Sequence, residues 1–178
     1  KFDSRLQRMT LLQHHILALS LTAITIFGLG LLVFLAEPKR RLNQVFGLYS
    51  LTISWWAFNE IFLVGAADQK AANFWAYIEW PGVIFIAPTF LHTVFLLTEE
   101  KRKKATRVIL TVAYFVGFVF LALHLLFRLI AMPPKPAGYL RFFNEVTSVG
   151  LLVPLTFLVL VNIGLWKLWW SFRSASGQ

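Results

Sequence analysis

The stretch from Phe74 to Thr98, FWAYIEWPGVIFIAPTFLHTVFLLT, decides the fold of this chain. At about 1.5 Å of rise per residue, a helix of this length crosses a hydrocarbon core of roughly 30 Å. The stretch contains two prolines, Pro81 and Pro88, and each removes a backbone hydrogen-bond donor. In lipid this loss is tolerated only where neighbouring helices or water satisfy the freed carbonyls. We therefore predict a membrane span that is packed among other helices.

The composition of the whole chain indicates the same class of protein. Hydrophobic residues make up 58% of the sequence, and the mean hydropathy is +0.68, well above that of a soluble domain. The net charge is +9, but the basic residues stand beside apolar stretches and not on one amphipathic face. Membrane lipids are therefore expected partners, and nucleic acid is not. The absence of cysteine excludes disulfides and thiolate metal sites.

Apolar stretches on either side of the central one predict four more membrane spans. The five predicted spans are residues 16–36, 45–65, 74–98, 108–130 and 149–170. We expect an all-α polytopic membrane protein with one five-helix transmembrane domain over residues 16–170. Residues 1–15 are predicted to form an N-terminal interfacial segment, and residues 171–178 a cytoplasmic tail or linker.

Lysine and arginine in the loops predict the orientation of the chain. With five spans, ten of these residues fall on one side: Lys39, Arg40, Arg41, Lys101, Arg102, Lys103, Lys104, Arg107, Lys167 and Arg173. Seven fall on the other: Lys1, Arg5, Arg8, Lys70, Arg128, Lys135 and Arg141. Because short cytoplasmic loops are enriched in basic residues, we predict a cytoplasmic C-terminus and an external N-terminus.

Ionisable residues inside the predicted spans gather near the external side. Glu60 and Glu79 fall at similar depth, and His124 and Arg128 reach that level on one face of the fourth helix. Such residues are costly in a bilayer unless they are paired or hydrated, so they mark a candidate site. One interpretation is a polar pocket under the loop at residues 131–145 that binds a small ligand, a metal ion or protons. The other is that Arg128 reaches the interface while both carboxyls only fix the helix register.

No residue pattern in the sequence indicates catalysis, and none identifies a cofactor. HExxH, GxSxG and Walker motifs are absent, so we do not expect an enzyme. Histidine is a good haem ligand, but His14 and His15 are adjacent and point in different directions on a helix. His92 and His124 lie near opposite ends of their helices, so they do not bracket one macrocycle. Any cofactor stays unknown at this stage.

Particular residues of the second and third predicted helices form a recognisable pattern. In the second helix they are Asn43, the run from Phe46 to Leu48, Trp55 or Trp56, and Glu60. In the third they are Phe74 to Ala76, Glu79, Trp80, Gly82, Pro88, Phe90 to His92, and Thr98. This pattern resembles the seven-helix membrane sensory region at the N-terminus of many bacterial histidine kinases and diguanylate cyclases, over about residues 40–104.

The resemblance implies a sensory or ligand-binding module in the bacterial cytoplasmic membrane that is followed by a cytoplasmic output domain. Two departures from the pattern bear on this expectation. The chain holds five of seven helices and stops at SFRSASGQ, and Pro81 stands where the family usually has only an aromatic residue and glycine. The alternative is a structural accessory subunit of a photosynthetic or respiratory membrane complex that packs against partner membrane proteins or pigments.

Overall fold

A computed structural model describes residues 2–98 and 104–176, which form five helices and one small hairpin. The elements are α1 (Phe2–Ala36), α2 (Arg41–Val64), α3 (Gln69–Leu97), α4 (Lys104–Phe127), β1 (Lys135–Ala137), β2 (Leu140–Phe143) and α5 (Leu152–Ser176). The basic residues at 101–103, which lie between the third and fourth predicted spans, are outside the described residues. Lys1 and the last two residues of the predicted tail are outside them as well. The predicted all-α class is confirmed.

Within the described residues, four helices are long and apolar enough to cross a membrane. They are Met9–Ala36, Gln69–Leu97, Lys104–Phe127 and Leu152–Ser174. Helix α2 is not among them, although it has 24 residues, because serine, threonine, asparagine and glutamate lower its hydropathy. The multi-pass membrane class is thus established, and four of the five predicted spans meet this criterion.

The ends of the helices differ from the predicted ends in several places. Helix α1 continues without a break through residue 15, so the predicted interfacial segment and first span are one helix. Helix α4 ends at Phe127, three residues before the predicted end, because Arg128 has a left-handed backbone with φ of 53°. Helix α5 begins at Leu152 and continues to Ser176, so the predicted tail is helical as far as that residue.

Helix α3 is the centre of the molecule. It packs against α2, α4 and α5, whereas α1 packs mainly against α2. In its most apolar 18-residue window 56% of residues are buried, against 17–22% in the other three candidate spans. Its side chains contribute to two apolar clusters with α4 and α5, one around Trp80 and Ile84 and the other around Leu91 and Phe95. The predicted central position of this helix is therefore confirmed.

Helices α2 and α3 approach closely at Gly82. A Cβ atom at this residue would lie 2.9 Å from the carbonyl oxygen of Thr52 and 3.0 Å from the backbone nitrogen of Trp56. Small residues permit such backbone contact between membrane helices, which gain stability from packing rather than from the hydrophobic effect. Glycine at this position sets the separation of α2 and α3.

The connection between α4 and α5 forms a short antiparallel hairpin. Lys135 pairs with Phe143 and Ala137 with Leu140, and Gly138 supplies the positive φ of 60° that the turn needs. The sequence predicts a shaped loop over residues 131–145 but not its two strands. Phe142 packs on a cluster at the end of α2 and the start of α3, and Tyr139 contacts His15 of α1. We call this end of the molecule the hairpin end.

Candidate ligand site at the hairpin end

Glu60 and Glu79 form a buried carboxyl pair between α2 and α3. Their exposed fractions are 7% and 4%, and the two carboxyl groups are close enough to influence each other electrostatically. The Trp56 indole lies near Glu79. The two residues therefore act as one polar unit in the interior of the helix pair.

A residue of the hairpin segment reaches this carboxyl pair. Asn144 Nδ2 donates to Glu79 Oε2 over 3.0 Å, which we call the Asn144–Glu79 bond. Asn144 directly follows β2, so the bond joins the hairpin to the interior of the α2–α3 pair. Asn144 Oδ1 is buried without a hydrogen-bond partner. Sequence reasoning missed Asn144, because a polar residue in a predicted loop carries no signal of where it folds back.

Pro81 explains the position of His124. A proline at residue 81 cannot donate to the carbonyl of residue 77, its partner four positions earlier in an α-helix. His124 Nε2 lies 2.8 Å from that carbonyl oxygen of Tyr77, and since a carbonyl only accepts, Nε2 donates. A neighbouring helix thus satisfies the carbonyl that Pro81 frees, as predicted for this span. Counting four residues back from Pro81 identifies Tyr77 from the sequence, but not its partner.

Tyr77 connects α3 to the end of α4 through three further contacts. Its hydroxyl donates to the carbonyl oxygen of Leu125 over 3.2 Å. The His124 ring stacks on the Tyr77 ring with centroids 5.1 Å apart, and the Arg128 guanidinium lies 5.5 Å from the Tyr77 ring centroid. Tyr77 therefore contacts both His124 and Arg128, the two candidate residues at the end of α4 and just after it.

The four predicted site residues all lie at the hairpin end, but in two groups. Glu60 and Glu79 form one group with Asn144, and His124 and Arg128 form the other around Tyr77. In the part of the chain that the structure describes, neither His124 nor Arg128 contacts the carboxyl pair. The physical reason is that the carbonyl freed by Pro81 takes the His124 donor, while Arg128 lies beyond the end of α4. Their role in ligand binding stays a prediction.

A cleft of about 390 Å³ opens beside the second group. It lies between the first turns of α3, the end of α4 and the chain that leads into β1. The residues that line it are Asn73, Phe74, Ala76, Tyr77, His124, Arg128, Ala131, Met132, Pro133 and Pro134. Its volume is within the range of small-molecule sites.

Buried polar atoms without partners concentrate at this end of the molecule. Within residues 2–98 and 104–176 they are His15 Nε2, Trp80 Nε1, His124 Nδ1 and Asn144 Oδ1. Because buried polar groups are nearly always hydrogen-bonded, this cluster indicates a place for water or a ligand. No group of three or more histidine, aspartate and glutamate side chains in these same residues is arranged to hold a metal ion.

His92 lies away from this site. Its Nδ1 is 3.1 Å from the Tyr114 hydroxyl, and the two rings meet edge to face. The contact joins α3 to α4 closer to the other end of the bundle. His92 is thus a packing histidine in a contact between two helices.

The similarity of this chain to known proteins lies at the level of a family. No curated protein and no solved structure is significantly similar to the chain. A family model described as the N-terminal 7TM region of histidine kinase matches residues 18–176. This range includes the second half of α1 and all the elements that follow it. This match confirms the resemblance seen in the second and third helices and extends it over most of the sequence. The chain belongs to the family of N-terminal seven-helix membrane regions of histidine kinases.

Proposed function

We propose that this chain is a membrane sensory module that receives a stimulus at the hairpin end and passes a rearrangement of its helices to the opposite end. The observation that carries the proposal is the Asn144–Glu79 bond. It joins an element outside the helices to a carboxyl pair buried between two of them. A stimulus that moves the hairpin therefore changes the surroundings of that pair directly.

The proposed contacts of the stimulus are Glu60, Glu79, His124 and Arg128. Helix α3 carries Glu79 and, through Tyr77, the contacts of the other group, so both groups act on the same helix. A ligand shifts a helix arrangement only if it binds one arrangement better than another. Since α3 packs against α2, α4 and α5, a shift of α3 at the hairpin end is transmitted to all three.

Helix α2 serves as a fifth membrane span in this proposal. From residue 48 onward its buried polar residues are Ser50, Thr52, Ser54, Asn59 and Glu60. Over the same stretch its exposed side chains are large and apolar, with Leu51 at 47% and Phe58 at 50%. A water-exposed helix shows the opposite distribution. Apolar groups outside and polar groups inside support a helix that faces lipid.

We infer that the hairpin end is external and that the C-terminus is cytoplasmic, in a bacterial cytoplasmic membrane. At the opposite end, Lys39 and Arg40 lie between α1 and α2, Arg41 begins α2, and the first turn of α4 carries Lys104 and Arg107. Basic residues in short loops favour the cytoplasmic side. Histidine kinases have cytoplasmic catalytic domains, so the partner expected at this side is an output domain.

A second candidate function is that of an accessory subunit of a larger membrane complex. The observation that favours it is the row of exposed tryptophans near the end of α5, at Trp166, Trp169 and Trp170. Aromatic residues at a span end anchor a helix at the interface and also provide contact surface for a partner. Purification in mild detergent separates the two functions, since a pigmented or redox complex of fixed stoichiometry supports only the second.

Double electron–electron resonance tests the proposed transmission. The chain contains no cysteine, so Leu97→Cys and Phe172→Cys give two specific spin-label sites at the end opposite the hairpin, and both positions are exposed. Asn144→Asp places a carboxylate beside Glu79 in place of a donor and should push the hairpin away. We expect the 97–172 distance to shift by about 2 Å, the size of typical helix displacements in switching.

Two further variants control this experiment. Glu79→Gln keeps an acceptor for Asn144 and should preserve the distance. Arg141→Gln changes the charge on exposed β2 without altering the Asn144–Glu79 bond and should also preserve it. The same distance in Asn144→Asp as in the parent protein would end the proposal.

A further inference from the structure

The cleft beside Tyr77 has the features of a binding site in which Arg128 supplies a positive charge. Of the residues that line it, Arg128 is the only arginine or lysine, and His124 directs Nε2 at the Tyr77 carbonyl. No aspartate or glutamate lines it. Within the described residues the Arg128 side chain contacts the face of the Tyr77 ring and no carboxylate. The guanidinium thus keeps its hydrogen-bond donors for an anion.

The backbone holds Arg128 in an unusual conformation at this site. Its φ of 53° lies in the left-handed region, where glycine or asparagine usually stands after a helix. The backbone nitrogen of Arg128 donates to His124 O over 3.1 Å, and that of Leu129 to Leu123 O over 3.1 Å. A non-glycine residue in this region is strained, and such residues concentrate in ligand clamps. This strained backbone conformation places the positively charged Arg128 at the cleft.

The rim of the cleft is fixed by hydrogen bonds from both sides. Gln69 Nε2 donates to Pro134 O over 2.9 Å and so ties the start of α3 to the chain before β1. On the other side, the Met132 nitrogen donates to Glu145 O over 2.8 Å. The cleft is therefore built into the fold and does not require a ligand to form.

Exposed apolar side chains lie in the cleft wall and beside it in the sequence. Next to Arg128, Leu126 and Phe127 are among the most exposed apolar side chains of the molecule, and Phe74 and Met132 on the cleft wall are exposed as well. A ligand whose head reaches Arg128 can thus lay an apolar tail along the same face. This combination suits an amphiphile better than a fully polar solute.

We propose that the cleft binds an anionic amphiphile, whose carboxylate or phosphate head pairs with Arg128 and whose acyl chain lies along Phe74 and Phe127. This inference rests on the proposed function, because it names the class of ligand for one part of the same site. The source is either a lipid of the surrounding bilayer or a free amphiphile such as a fatty acid. Both present the same head chemistry to the guanidinium.

Spin-labelled lipids in reconstituted bilayers test the inference. The probes are stearic acid, phosphatidylglycerol and phosphatidylcholine, each labelled on the acyl chain, in phosphatidylcholine vesicles that contain the protein. We expect an immobilised population of one or both anionic probes in excess of the neutral one. Stearic acid alone in excess identifies a free amphiphile, and phosphatidylglycerol in excess identifies a bilayer lipid. Equal immobilisation of all three probes would overturn the proposal.

Variants at the cleft assign the excess to Arg128. Arg128→Gly removes the charge and suits a positive φ, so the protein should still fold, and affinity for the anionic probe should fall roughly tenfold or more. Arg128→Lys should retain most of the preference. Met132→Trp leaves the charge in place and fills the cleft, so it should also abolish the excess. Arg141→Gln neutralises another basic residue on the same side of the molecule and should leave the excess unchanged. An unchanged excess in both Arg128→Gly and Met132→Trp would refute the site.

The failure of this inference is distinguishable from that of the proposed function. If Asn144→Asp shifts the 97–172 distance but no anionic probe is retained, transmission stands and the ligand class is wrong. If the probe binds through Arg128 but the distance never changes, the binding site stands and the sensory proposal falls.

Discussion

A single proline determines much of the chemistry at the hairpin end. Pro81 leaves the Tyr77 carbonyl without its intrahelical donor, and His124 of a different helix supplies the replacement over 2.8 Å. The local defect in α3 is thus converted into a contact between α3 and α4. An unsatisfied carbonyl in this environment would be costly, so we regard His124 first as a structural donor and second as a part of the cleft wall.

A double-mutant cycle tests this relation between Pro81 and His124. His124→Ala leaves the Tyr77 carbonyl without a donor and should lower the free energy of unfolding by about 1–3 kcal/mol. Pro81→Ala restores the intrahelical donor, so His124→Ala should cost less in that background, by roughly 1 kcal/mol. SDS titration followed by circular dichroism gives the four stabilities. Strictly additive effects of the two substitutions would show that the carbonyl is not what His124 satisfies.

For individual residues, the sequence predicts the position along the spans better than it predicts the contact partners. Counting depth along the spans brings Glu60, Glu79, His124 and Arg128 to the same end, where the structure has them. It does not predict that Asn144 would reach Glu79, because that contact depends on how a hairpin folds over the helices. Nor does it predict the split into two groups, since a helix rotation of 100° per residue decides which neighbour each side chain meets.

The close packing of helix α2 on helix α3 depends on one glycine, Gly82. A Cβ atom at Gly82 would contact Thr52 and Trp56 backbone atoms that belong to a helix and are not free to move aside. The α2–α3 pair is also the element that buries both carboxyls. Its separation therefore affects the candidate site as well as stability.

Gly82→Ala should destabilise the protein by about 1–3 kcal/mol, because the added methyl group overpacks the α2–α3 contact. Gly28→Ala is the matched control. A Cβ atom at Gly28 has nothing within 4 Å, and alanine has the higher helix propensity, so this variant should be neutral or more stable by up to about 1 kcal/mol. The comparison uses unfolding in mixed micelles. Equal stabilities for the two variants would contradict the packing argument.

Among the secondary-structure elements, long hydrophobic helices are readily predicted from the sequence, whereas short strands are not. Stretches of apolar residues locate the ends of all five helices to within six residues, apart from the continuous start of α1. The strands at residues 135–137 and 140–143 are too short for a period to be recognised, and only the turn at Gly138 marks them. Helix α2 shows the converse difficulty, because polar residues that face the interior lower its hydropathy below that of the four candidate spans.

Cysteine labelling tests whether α2 crosses the membrane. Lys39→Cys lies before α2 and Lys70→Cys after it, and both side chains are exposed. If α2 is a span and the hairpin is external, a membrane-impermeant maleimide should label Lys70→Cys in intact cells and Lys39→Cys only after permeabilisation. Labelling of both positions in intact cells would show that α2 does not cross.

The whole molecule is arranged so that α3 links its parts. Helices α4 and α5 each pack on α3, and α2 does so from another side. The hairpin contacts α1 through Tyr139, α2 and α3 through Phe142, and the carboxyl pair through Asn144. One small element is therefore in contact with three of the helices, which supports the proposed sensory role.

The central claim is that the hairpin end controls the arrangement of the helices at the opposite end. The most direct test is the distance between spin labels at positions 97 and 172 in lipid bilayers, compared between the parent protein, Asn144→Asp and Arg141→Gln. We predict a shift of about 2 Å in Asn144→Asp and none in Arg141→Gln. Identical distance distributions in all three proteins would contradict the claim.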